Sequence, residues 1–434
     1  MDQETANWDH CLQHAVLSDV GLRRANNQDA VAVLLADSRE TWLRRGHLFV
    51  VADGMGAHAA GELASKLATD TVTLTYSKRM DLPPPEAILS ATEAANAKIH
   101  NRGQADEEFQ GMGTTNTALL ILPQGAVLAH VGDSRAYRLR GDRFEQLTFD
   151  HSLVWELRAA GQLSGEITSE HIPKNIITRS LGPNPTVSVD LEGPFPIVVG
   201  DTFVLCSDGL SGPVADEEIG AILMSMPPEE AARALVDLAN LRGGPDNITV
   251  IVARVTGPQV TKGSGSSGDF SAGPRTARPV HPLLWTLLGL FALISAGSAA
   301  MEYWLAALIC LGGAIVSGII AMAVRYGDGG EVSRFRGQAL GKGPYTACKA
   351  AANGEFVGRL ERIVDELREA ATREKWAVEW NRFNAYQTQA VGAKKAADYP
   401  RSIREYFHAI SFMMGQLKHQ RRQGGSGSGS VLDR

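Results

Sequence analysis

The sequence predicts an α/β (α+β) fold followed by two apolar helices and a small all-α module. Three observations carry this. Residues 12–256 alternate short Val-, Leu- and Ile-rich runs with longer helix-like ones. Residues 282–324 hold two long uncharged runs, and residues 345–422 carry apolar stripes at helical spacing. At 434 residues the chain is too long for one ordinary core, so two or more domains are expected.

In chain order, the strand-like runs are Ala30–Ala36, His47–Ala52, Thr117–Leu122, Ala126–Val131, Ala136–Arg140, Thr202–Cys206 and Ile248–Val255, bounded by Gly, Asp and Pro. The helix-like runs are Ala59–Thr75, Pro85–Asn101, Leu153–Ala160, Asp216–Met224 and Pro228–Leu241. The last opens on Pro227-Pro228-Glu229-Glu230, proline and acids that suit a first turn. A first domain is therefore expected at 1–256. Residues 257–281, with Gly263-Ser264-Gly265-Ser266-Ser267-Gly268, read as a flexible linker.

Pro282–Ala300 and Tyr303–Val324 carry no charged side chain. Each approaches the roughly 20 apolar residues of a membrane span. Trp285, Tyr303 and Trp304 stand near the expected interfaces. A transmembrane hairpin is expected over 282–324, with a buried helical hairpin as the alternative. Arg275, Arg278, Arg325, Arg334 and Arg336 flank the block and the turn has no Lys or Arg. That charge asymmetry predicts a multi-pass protein of the inner (cell) membrane with both soluble parts cytoplasmic.

In 345–422, Phe356, Leu360, Ile363, Val364 and Leu367 share one helical face, and Ile403, Tyr406, Phe407, Ile410, Met413, Met414 and Leu417 another. These helices read either as a small bundle packed on itself or as one tetratricopeptide-like pair. The tail, 423–434, is Gly/Ser-rich and expected to be disordered.

Composition bounds the function. Hydrophobic residues at 44 % and charged residues at 21 % mark a globular chain. A net charge of −6 argues against nucleic acid as a partner. Cys11, Cys206, Cys310 and Cys348 show neither metal nor disulfide spacing, which fits free thiols in a reducing compartment. Met1-Asp2-Gln3-Glu4 lacks the basic and apolar regions of a signal peptide.

The chemistry lies in four acidic islands: Asn27-Gln28-Asp29, Asp53-Gly54-Met55-Gly56, Cys206-Ser207-Asp208-Gly209 and Gly244-Pro245-Asp246-Asn247. Each Asp stands at or near the end of a strand-like run. Strand ends aimed at one place bring distant carboxylates together, and such carboxylates repel unless a cation sits between them. The pattern points to a hard divalent metal site and metal-assisted hydrolysis.

Six motifs in order carry a family resemblance. They are Ser18–Asp29, Asp53-Gly54-Met55-Gly56-Ala57-His58, Gly113-Thr114-Thr115, His130–Arg135, Ser207-Asp208-Gly209 and Asp246-Asn247-Ile248-Thr249. Over about Cys11 to Val255 the chain resembles the bacterial form of the metal-dependent type 2C serine/threonine protein phosphatases. The resemblance implies a four-layer α-β-β-α sandwich with a metal centre at one edge. It implies two Mn²⁺ or Mg²⁺ ions and attack of an activated water on phosphorus. Asp53 would bridge the ions, the Gly54 carbonyl would add a ligand, and Asp208 and Asp246 would complete the second ion. Asp133 would hold a third, weaker ion, Asp29 would bond metal waters, and Arg24 would grip the substrate phosphate. Met55 stands where eukaryotic relatives have a candidate general acid, and Ala57 where the motif usually has Gly. His58 reads as a structural histidine or as an acid. Thr148–Leu181 resembles the mobile flap of bacterial relatives.

The expectation is a membrane-anchored phosphatase acting on phosphorylated proteins and opposing a Ser/Thr protein kinase. The alternative is a phosphatase-like domain of weak catalysis that senses or scaffolds phosphoproteins.

Overall fold

A computed structural model describes residues 11–57, 59–162, 173, 176–260, 282–326 and 339–424. The linker expected at 257–281 lies outside them beyond residue 260, as do the tail beyond residue 424 and His58. The first elements are β1 (Leu12–Asp19), β2 (Asp29–Leu34), α1 (Arg39–Arg45), β3 (His47–Met55), α2 (Ala60–Lys78) and α3 (Pro84–Ala105). A meander follows: β4 (Gly113–Thr114), β5 (Asn116–Leu122), β6 (Gly125–Val131), β7 (Arg135–Arg140) and β8 (Arg143–Gln146). Then come α4 (Leu153–Ala159), β9 (Asp190–Phe195), β10 (Thr202–Cys206), α5 (Asp208–Ser211), α6 (Asp216–Ser225), α7 (Pro228–Leu241) and β11 (Ile248–Val255).

Side-chain alternation builds the layers. In β3, Leu48, Val50 and Ala52 pack with α2 and α3, while Phe49 and Val51 face the other sheet. In β10, Val204 and Cys206 pack toward α6 and α7, while Phe203 and Leu205 face inward. With both faces buried, these strands show continuous apolar runs instead of alternation. One sheet runs β2-β3-β5-β6-β9, with β4 beside β3; the other contains β1-β11-β10-β7-β8. Every pairing is antiparallel. The result is the expected four-layer α-β-β-α sandwich.

Beyond the sandwich, α8 (Pro282–Ala300) and α9 (Trp304–Tyr326) form a helical pair turned at Glu302, whose φ is 63°. Among the described residues, no helix is long and apolar enough to cross a membrane. This overturns the transmembrane hairpin expected at 282–324, and with it the membrane anchoring and multi-pass inner-membrane localisation.

The C-terminal segment also differs from expectation. It contributes β12 (Thr346–Lys349), α10 (Gly354–Arg373), α11 (Trp380–Lys395) and α12 (Tyr399–Gly424). β12 pairs with β8, from Thr346↔Gln146 to Lys349↔Arg143, and so extends the sheet that contains β1, β11, β10 and β7. Phe356, Val357, Leu360, Phe407 and Ile410 share one buried core with Ile222, Leu235 and Leu238. Arg404 grips Glu230 of α7 through two 2.6 Å bonds. The helical segment is thus packed on the sandwich and is not a separate module, because its amphipathic stripes find their apolar partner on α6 and α7.

That shared core predicts coupled unfolding. Leu360 is fully buried, so Leu360→Ala should cost about 2–5 kcal/mol. Chemical denaturation should show sandwich and C-terminal helices unfolding in one transition; two separable transitions would argue against a common core.

Candidate metal centre

The sheet register gathers the acids. Asp29 opens β2 and lies directly across from Asp53 on β3. Asp208 begins α5 just after β10, and Asp246 lies just before β11, the neighbouring strand. Asp133 sits in the turn by which the chain passes from β6 of one sheet to β7 of the other. Carboxylates from both sheets therefore meet at one edge of the sandwich.

Backbone pins hold them there. The Asp53 N–H donates to Thr115 Oγ1 at 2.8 Å, and the Asp53 carbonyl accepts from Thr115 N at 2.9 Å and Thr114 Oγ1 at 2.9 Å. Ser207 Oγ donates to Asp29 Oδ2 at 2.8 Å. Asn247 clamps the loop after β1: its Nδ2 donates to the carbonyls of Val20 and Asn26, both at 2.9 Å, and its Oδ1 accepts from Gln28 N at 2.8 Å. Gly54 admits no side chain, since a Cβ there would stand 2.0 Å from the Gly61 carbonyl at the start of α2. The departure at Ala57 is harmless: the positive φ belongs to Gly56, at 145°, and Ala57 is not among the positive-φ residues.

The electrostatics are unfavourable without a cation. Burial, then Asp29, Asp208, Asp133 and Asp246, push the Asp53 carboxyl well above the usual carboxylate range. Burial first, with Asp208 and Asp246 adding, raises Asp29 to about 6. Burial, then Asp208 and Asp150, raises Asp133 to about 7. Asp208 is raised by burial and by Asp246, and shares a hydrogen bond with Asp53. Asp29 Oδ1, Asp133 Oδ1 and Asp208 Oδ1 are buried with no hydrogen-bond partner. Buried anionic oxygens without donors are costly unless a cation compensates. Among the described residues, no three His, Cys, Asp or Glu side chains are grouped closely enough to hold an ion by themselves. Hard ions such as Mg²⁺ keep most of their water and take few protein oxygens. The residues fit such ions.

Arg24 stands at the rim, about half exposed, with Nη2 2.6 Å from Asp246 Oδ2. Arg23 is held against the same loop by its backbone, N to Gly244 O at 3.2 Å. Beside Asp133 and Asp208 opens a cavity of about 320 Å³ lined by Arg135, Asp150, Trp155 and Arg158. Arg135 is tied down: Nη2 lies 2.7 Å from Asp150, and Nη1 bonds the Tyr137 hydroxyl at 3.0 Å. Of the expected flap, residues 163–172 and 174–175, with Asn175, lie outside the described residues. Its two flanks are bridged, with Leu153 N donating to Ile176 O at 2.9 Å. Burial drives the Cys206 thiol up to about 12, in keeping with a packing role. The positioning work of Thr115, Ser207 and Asn247 was not legible beforehand, although each stands inside a recognised motif.

Residues 23–237 match the family described as Protein phosphatase 2C. Protein phosphatase PhpP of Streptococcus pneumoniae is 41 % identical over 243 residues, which is 55 % of this chain and 96 % of that protein. Serine/threonine protein phosphatase PstP of Mycobacterium tuberculosis is 38 % identical over 251 residues, 56 % of this chain and 45 % of its own length. The S. agalactiae serine/threonine phosphatase structure superposes with a TM-score of 0.51 at 36 % identity, over 56 % of this chain and 99 % of that one.

Carboxyls raised in the folded state favour folding when protonated. That contribution is present at low pH and is lost as pH rises from the ordinary carboxylate range through about 6 to 7. In ion-free protein at neutral pH, Asp53→Asn should therefore raise the melting temperature. Mn²⁺ should stabilise the wild type and leave the variant almost unmoved. An Asn variant that melts lower than ion-free wild type would contradict the repulsion.

Proposed function

The chain belongs to the protein phosphatase 2C family and is a serine/threonine protein phosphatase; on that premise we propose that it removes phosphate from proteins at a centre of two Mn²⁺ or Mg²⁺ ions held at Asp53. The observation that carries this reading is the set of buried carboxylates whose charges bear on Asp53, with Oδ1 of Asp29, Asp133 and Asp208 buried and lacking a hydrogen-bond partner.

In this reading Asp53 and the Gly54 carbonyl would hold the ions together with Asp208 and Asp246. Asp133, whose Oδ1 is buried without a hydrogen-bond partner, would hold a third, weaker one. Asp29, fixed by Ser207, bonds the surrounding waters. The bound ions supply a water deprotonated near neutral pH and offset phosphoryl charge. Arg24 exchanges its carboxylate partner for phosphoryl oxygens, which a guanidinium binds in pairs. Met55 offers no proton to a leaving alkoxide, so this position does not supply the general acid. The substrate is the product of a Ser/Thr protein kinase, which this activity opposes.

Hydrolysis of a phosphothreonine peptide should require Mn²⁺ or Mg²⁺ and stop with chelator. Asp53→Asn should lower turnover by more than roughly 100-fold. Arg24→Ala should raise KM by roughly ten-fold or more, since a charged hydrogen bond is lost. Steady-state kinetics check all three; full activity in metal-free protein, or a larger effect from Arg23→Ala than from Arg24→Ala, would sink this assignment.

A further inference from the structure

The C-terminal segment reaches the cleft. Residues 339–349 run as a strap along β9, β8 and the loop after β8, and end in β12. The strap is fixed at several points. Leu340 N donates to Gly193 O at 2.7 Å, Gly343 N to Glu192 Oε2 at 2.9 Å, and Tyr345 N to Gln146 O at 2.9 Å. The Tyr345 hydroxyl donates to Glu192 Oε1. Glu192 is buried, so these donors satisfy a carboxylate that would otherwise be costly in the interior. The fit is close: a Cβ on Gly343 would stand 2.7 Å from the Leu147 carbonyl.

From there an aromatic chain leads to the cavity beside the metal centre. The Tyr345 ring meets Phe149 edge-on at 5.4 Å. Phe149 meets Trp155 edge-on at 5.4 Å. Trp155 lines the cavity, with the Arg135 guanidinium 5.8 Å and the Arg158 guanidinium 5.9 Å from its ring centre. On the same loop, Asp150 anchors Arg135, and His151 accepts from the backbone N–H of Gly132 next to Asp133. The segment from Phe149 to Trp155, which enters α4, is thus the wall between strap and metal centre.

We propose that Tyr345 is a positioning residue for substrate: it sets Phe149 and Trp155, and through them the shape of the cavity that receives the peptide flanking the phosphorylated residue. This rests on the phosphatase reading above. The family match ends at residue 237, and the S. pneumoniae relative is covered over 96 % of its length by a 243-residue stretch. The S. pneumoniae relative has almost no length beyond the matched stretch to form such a strap, so the strap is not required for the chemistry itself and adds selectivity to a common centre. An edge-to-face pair contributes enough to shift an equilibrium by roughly two- to ten-fold. That is the size of effect expected on peptide binding.

The test uses the full-length chain, Mn²⁺ and two substrates: a phosphothreonine peptide, and p-nitrophenyl phosphate, which has no flanking residues. Tyr345→Ala should raise KM for the peptide by roughly five-fold with kcat within about two-fold. Its kcat/KM for p-nitrophenyl phosphate should stay near wild type, which also shows that the variant is folded. Tyr345→Phe keeps the ring and should restore the peptide KM. Equal losses on both substrates, no change on either, or failure of Tyr345→Phe to restore the peptide KM would overturn the proposal. Failure of the phosphatase reading itself would look different: wild type would hydrolyse neither substrate.

Discussion

The structure depends on a repulsion. Asp29, Asp53, Asp133, Asp208 and Asp246 are drawn to one edge of the sandwich, where burial raises four of them and leaves three oxygens without donors. A chain would gain stability by losing these acids. Their retention together makes sense only with cations between them. The rest of the domain resists that repulsion. The apolar layer of Phe49, Val51, Leu119, Phe203, Leu205 and Ile251 fixes the two sheets against each other. Thr114, Thr115, Ser207 and Asn247 fix the strand ends on which the acids stand.

Much of this was legible in the sequence, for reasons that differ by element. Strands buried on both faces, such as β3, β10 and β11, announce themselves as apolar runs with an acid at or near one end. β1 escaped because it is an edge strand with one exposed face, carrying Gln13, His14 and Ser18 among its apolar residues. β8 and β9 escaped because they are short and hold buried Glu145 and Glu192. The acids could be read from their positions at strand ends. The residues that pin them could not, since a Thr or Asn hydrogen-bonding to distant backbone leaves no periodic trace.

The regions after residue 256 show where sequence reading runs out. A stripe such as Ile403 to Leu417 states that a helix buries one face, but not what it buries it against. Here the partner is the outer face of α6 and α7, secured by Arg404 on Glu230 and by β12 along β8. The uncharged runs at 282–324 were read by length alone, and among the described residues no helix meets the requirement for a membrane span. The consequence is a phosphatase sandwich whose sixth strand and outer helices come from its own C-terminal segment, with one loop wall shared between that segment and the metal centre.

Crowded carboxylates that repel when ionised hold on to protons in the ion-free protein and exchange them for divalent ions. Calorimetric titration of Mn²⁺ into ion-free full-length protein near neutral pH, repeated in buffers of different ionisation enthalpy, tests this exchange most directly. The account predicts saturable uptake of about two ions per chain with release of protons, and loss of both in Asp53→Asn. Uptake without proton release, or uptake that survives Asp53→Asn unchanged, would contradict it.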